Sequence, residues 1–136
     1  MDREKGIWPR ERDYIILKIK RNVLASIWLV LYLVWRNEVI NFEALEKDLE
    51  VFKKKIFGGI SEANFSFGFK SNDSGHDLEP KTIEDVLRGF EDIGCVMEVS
   101  NIIYMTSSGY RFLSDWWPEV KDIMGDRIDF TPIESE

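Results

Sequence analysis

Lys81, Thr82 and Arg88 fall on one short amphipathic stretch, and Lys53, Lys54 and Lys55 lie near the end of another. These residue types neutralise phosphate oxygens and bond to base edges. Arg10 and Arg12 add guanidinium groups near the N-terminus, and Asn101 lies between two short apolar runs. Other chemistry is sparse. His76 is the only histidine, so no Ser-His or Cys-His couple has a second one to draw on. Asp73, His76, Asp77 and Glu79 share a loop, at a spacing that matches neither an EF-hand nor a zinc motif. A Gly-rich phosphate loop and a nucleophile elbow are both missing. The single cysteine, Cys95, excludes an internal disulfide and reads as a small buried hydrophobe. Neither an enzymatic activity nor a cofactor nor a metal is expected.

Charge decides how far the anion-contact chemistry can reach. The formal net charge of −7 is unevenly spread. Residues 1–21 hold seven Lys/Arg against four Asp/Glu, residues 22–70 six of each, and residues 71–136 five against fifteen. A polyanion therefore prefers the N-terminal half and is repelled by the C-terminal half. The stretch that carries Lys81 and Arg88 also carries Glu84, Asp85, Glu91 and Asp92. Each carboxylate opposes the phosphate neutralisation on which duplex affinity rests. An acidic face turned to solvent or to a basic protein is the competing reading of the same residues.

The elements that must position these side chains follow from periodicity. Residues 23–35 (VLASIWLVLYLVW) form the longest apolar run, too short to span a bilayer and best read as a helix buried on most sides. Asn22 is its candidate cap, and residues 14–20, which mix strand-like and continuous patterning, are read as helical and merging with it. Because that helix is apolar almost all round, one face is expected on the domain and another on a second copy. Phe42, Leu45, Leu49, Phe52 and Ile56 then recur at helical steps behind a candidate cap, Asn41, and Gly58-Gly59 stops the helix. Phe65, Phe67 and Phe69 alternate, which predicts an extended strand with three rings on one face. Ile83, Val86, Leu87, Phe90 and Ile93 form the stripe of a third helix, with Pro80 in its first turn and Gly94 at its end. Two short strands around Ser100-Asn101 make a tight hairpin. Thr106 or Ser107 caps a last helix bearing Trp116 and Trp117, in which Pro118 makes a kink or a restart and Gly125 a stop.

The phrase DVLRGFEDIGCV…IIYMTSSGYRFL resembles the recognition helix, wing and following helix of the winged helix-turn-helix family. Phe90–Gly94 matches the family's helix stop, residues 103–106 its second wing strand, and Gly109 the glycine that follows. The layout from about residue 23 onward is similar to that of small prokaryotic winged-helix regulators. Their Gly-Pro-aromatic-Ser turn before the recognition helix is replaced here by residues 74–82 (SGHDLEPKT).

The expected fold is α+β, mainly α with a small β-hairpin wing: a winged helix-turn-helix with an extra N-terminal helix and a C-terminal helix. Residues 1–9 are expected to be a flexible arm, residues 10–125 one domain, and residues 126–136 an acidic tail. The resemblance implies a transcriptional regulator that binds double-stranded DNA as a homodimer. Lys81, Thr82, Arg88, Asn101, Lys53, Lys54, Lys55, Arg10 and Arg12 are its candidate DNA contacts. Trp28, Leu31, Trp35, Trp116 and Trp117 are the candidate dimer interface, since Trp is enriched at such surfaces. The alternative is a winged-helix interaction module whose acidic face binds a basic protein and does not touch DNA. A cytoplasmic setting is expected from the lone cysteine and the N-terminus without an apolar leader.

Overall fold

The computed structural model describes residues 2–57, 65–71, 75 and 77–133, with side chains from Lys20 onward. The chain is mainly helical with two small antiparallel sheets, an α+β arrangement. Helix α1 (Asp2–Asn37) is followed by strand β1 (Val39–Asn41), helix α2 (Phe42–Phe57) and a short ribbon, β2 (Phe69–Ser71) with β3 (Leu78–Pro80). Helix α3 (Ile83–Asp92), strands β4 (Val96–Val99) and β5 (Ile102–Met105) and helix α4 (Ser107–Met124) complete the order. Strands β4 and β5 pair as a hairpin, and β1 adds to the far side of β5, giving the order β1-β5-β4.

Helix α1 is the axis of the molecule. Ala25, Ser26 and residues 28–34 are buried all round, because α4, α2 and α3 each cover part of its circumference. Burial of such a run supplies the main apolar driving force of the fold. The Trp28 indole N–H, taken out of water, donates to the Leu113 carbonyl of α4 at 3.0 Å. The Ser26 hydroxyl donates to the Asn22 carbonyl at 2.7 Å and accepts the Ser66 amide at 3.1 Å, which ties the segment after α2 to α1.

Several expectations change here. Asn22 lies inside α1 and caps nothing; the helix runs unbroken from Asp2, so Gly6 and Pro9 are helical residues where an arm was expected. A capping side chain has no free amides to serve where the helix continues on its N-terminal side. Residues 126–133 are not a loose tail: Ile128 is buried, and Phe130 lies within 6.3 Å, centroid to centroid, of Trp28, Tyr32, Trp35, Tyr110 and Trp117. Of the three alternating rings only Phe69 is in a strand; Phe65 and Phe67 precede it, in contact at 5.1 Å, while Phe69 faces solvent. Gly58 and Gly59, the expected stop of α2, lie outside the described residues.

The Asn41 and Thr106 caps and the hairpin turn agree with the expectation. Pro80, however, belongs to β3 rather than to the first turn of α3, which Thr82 caps. Ile93, at the C-terminal cap, is exposed rather than part of the buried stripe. Asn41 Oδ1 accepts the Ala44 amide at 2.8 Å at the start of α2. Ser100 and Asn101 both take positive φ, 52° and 68°, as the two-residue hairpin turn requires. Helix α4 continues through Pro118, whose ring withholds the amide that would bond the Ser114 carbonyl.

Candidate interaction groove

Helix α3 begins in a reciprocal capping box. Thr82 Oγ1 accepts the Asp85 amide at 3.2 Å, and the Asp85 carboxylate accepts the Thr82 amide at 2.8 Å. Lys70 on β2 reaches the same carboxylate at 2.9 Å. These contacts hold the Asp85 carboxyl down at about 2, chiefly through the Thr82 backbone amide and next through the Lys70 ammonium. The same ion pair pushes Lys70 up. The ribbon β2–β3 is thereby clamped to the N-terminus of α3, and the Lys81 amide adds a bond to the Gly68 carbonyl at 2.9 Å.

With α3 so oriented, its outer side and the hairpin enclose a groove of about 380 Å³. Glu84, Arg88 and Glu91 line one wall from successive turns of α3. The other wall is the inner face of the sheet, where Val96 and Glu98 of β4 neighbour Ile103 of β5, with Asn101 at the turn. Phe42 and Leu87 supply apolar floor. Three carboxylates thus face one guanidinium in a concave site, which concentrates negative potential there.

The opposite face of the sheet is apolar and open. Side chains alternate across it, so Met97 and Val99 share that face with Ile102, Tyr104 and Val39. Val39, Met97 and Val99 are each about half exposed, and Tyr104 is 37% exposed.

The structure brings together only some of the candidate contacts. Arg88 and Asn101 both line the groove, and Lys81 stands exposed at the start of α3. Thr82 is committed to the cap. Lys53 lies over the Phe65 ring at 5.2 Å and Lys55 over Phe52 at 5.4 Å, so two of the three adjacent lysines shield aromatic surface. They sit at the far end of α2 from Phe42, the residue through which α2 reaches the groove. Arg10 and Arg12 belong to α1, and their side chains lie outside the described residues, as do Asp73 and His76.

No family model, curated protein or solved structure matches the chain.

The candidate dimer residues divide in the same way. Trp28 and Leu31 are fully buried within one chain, where the described part of α1 packs against its own α2, α3 and α4. Trp35 stacks on Tyr110 at 5.8 Å, and Trp117 packs on Trp28 at 5.4 Å. Trp116 alone stands out, 41% exposed. Glu84 and Glu91 belong to the acidic face expected from the sequence, whereas Glu98 was not among the expected site residues. The signal available for Glu98 was its alternation with Met97 and Val99, which sets it on the face opposite to theirs.

Proposed function

We propose that the chain is a winged-helix interaction module that holds a basic segment of a partner protein in the groove between α3 and the hairpin. The fold reading draws support from the order of elements: a strand between the first two helices joins the hairpin that follows α3. The partner reading is carried by one observation, the three carboxylates that face a single guanidinium where α3 meets β4. A phosphate backbone entering that groove meets more repulsion than attraction within the range of unscreened charge. A lysine- or arginine-rich segment meets the reverse.

A second reading, a DNA-binding regulator, is favoured by Lys81, exposed at the N-terminus of α3 where a helix dipole adds to its attraction for phosphate. One experiment separates the two. Fluorescence anisotropy with a labelled oligo-arginine peptide is expected to show binding that weakens with salt and with the pair Glu91→Gln and Glu98→Gln. A mixed-sequence duplex is expected not to bind at low salt. Duplex binding that is lost in Arg88→Glu would overturn the interaction reading in favour of the regulator.

A further inference from the structure

Strand β4 is an edge of its sheet, and its two faces differ in kind. Toward the groove it presents Glu98, and toward the opposite face Met97 and Val99. In an antiparallel hairpin closed by a two-residue turn, the pairs nearest the turn alternate between bonded and non-bonded. Val99–Ile102 and Met97–Tyr104 occupy the bonded places, so the Glu98 amide and carbonyl point away from β5 to the free edge. A row of open backbone groups beside exposed apolar side chains is a template for another strand.

From this edge we infer that the partner segment binds by strand addition to β4, as an extended peptide that alternates basic and apolar residues. The inference rests on the interaction reading above and adds the mode of binding and the sequence pattern recognised. Main-chain bonds to Glu98 supply affinity, and alternate side chains supply specificity. Basic residues of the added strand fall on the groove side, toward Glu84, Glu91 and Glu98. Apolar residues fall on the other side and continue the surface of Met97, Val99 and Tyr104, covering area that is now in water.

Charge also selects against a second copy as the occupant. Pairing β4 with β4 of another chain sets Glu98 and the neighbouring groove carboxylates of both chains close together, on molecules of net charge −7. A basic strand carries no such penalty.

The test uses the full chain and short peptides of alternating Lys and Val. Controls are a block isomer with all Lys at one end and two versions of the alternating peptide, N-methylated on the Lys amides or on the Val amides. The alternating peptide is expected to bind about tenfold or more tightly than the block isomer. Methylation of one amide set should abolish binding while methylation of the other leaves it, because only alternate amides of a strand face its neighbour. Met97→Lys and Val99→Lys should each weaken the alternating peptide more than the oligo-arginine peptide, with the amide spectrum confirming the fold. Since the methylation comparison alters no residue of the protein, it decides even where a variant fails to fold.

Equal binding of alternating and block peptides, or indifference to which amides are methylated, overturns strand addition and leaves the acidic-groove reading standing. Failure of every basic peptide to bind overturns both. A dimer in gel filtration that Val99→Lys converts to monomer assigns the edge to a second copy and likewise overturns the inference.

Discussion

Tyr32 on α1 and Asp129 in the C-terminal segment hold each other twice: the phenol donates to the Asp129 carbonyl at 3.0 Å, and the Asp129 amide donates to the Tyr32 hydroxyl oxygen at 3.3 Å. This pair anchors the strap that delivers Phe130 into the aromatic cluster beside α1. Burial of the ring pushes the Tyr32 hydroxyl up from its ordinary value, so it stays protonated and able to donate.

Phe130→Ala removes the ring at the centre of five aromatic neighbours and is expected to cost about 3 kcal/mol. Tyr32→Phe keeps the packing and strips both hydrogen bonds. Its cost should be smaller, about 1 kcal/mol, the usual net worth of a hydrogen bond, since Asp129 is an exposed residue. Denaturant titration of the two variants checks the ranking. Equal stability of Phe130→Ala and the parent would show that the strap does not hold the fold.

The capping box at α3 carries a pH dependence of known sign. Asp85 in the folded chain has its pKa lowered to about 2, below the usual carboxylate value of about 4. The stabilisation is therefore complete above that usual value and is lost as pH falls through about 2. Lys70, raised by the same contact, keeps its share below its ordinary value and loses it as pH rises through the raised one. An acid titration of stability should show a step that Asp85→Asn abolishes. Thr82→Ala, which removes the other half of the box, should cost about 1 kcal/mol at neutral pH.

Gly109 stands where the first turn of α4 meets the start of the hairpin. A Cβ there would strike the Cys95 carbonyl oxygen and come within 2.6 Å of Met105 Sδ. The junction is further tied by the Thr106 hydroxyl, 2.6 Å from the Gly94 carbonyl and 2.8 Å from that of Cys95. Gly109→Ala, which improves helix propensity elsewhere, is here expected to destabilise by about 2 kcal/mol. Thermal unfolding measures it, and a raised midpoint would contradict the predicted clash.

Cys95 is buried at the same junction, and desolvation pushes its thiol pKa up. The thiolate is the reactive form, so alkylation by iodoacetamide at neutral pH should be slow in the native chain and fast in denaturant. Mass spectrometry along a denaturant series should find alkylation rising with unfolding. Rapid native labelling would show that the junction opens locally.

Legibility in the sequence followed the range of the interactions involved. The α3 stripe from Ile83 to Phe90, its Gly94 stop, the hairpin with its Ser100-Asn101 turn and the Asn41 cap were readable because periodicity, capping and turn chemistry act over a few residues. The strap was not. Asp129 and Phe130 look like part of a charged tail, and only contact with Tyr32 and Trp28, about a hundred positions earlier, gives them a place. Asn22 failed as a cap because the helix continues on its N-terminal side, which leaves no free amides there for its side chain to accept.

The candidate site divides along the same line. By itself the sequence determined the acidic bias of residues 71–136, the alternation that sets Glu98 opposite Met97 and Val99, and the apolar character of residues 23–35. Only the tertiary structure decided which surfaces remain for a partner. It spent Trp28 and Leu31 on the chain's own core and drew Lys53 and Lys55 over aromatic rings. It gathered Glu84, Glu91 and Glu98 around Arg88 and left β4 as an edge. The reason is physical: composition and spacing set what each segment can bury or present, whereas exposure depends on which other segments arrive to cover it.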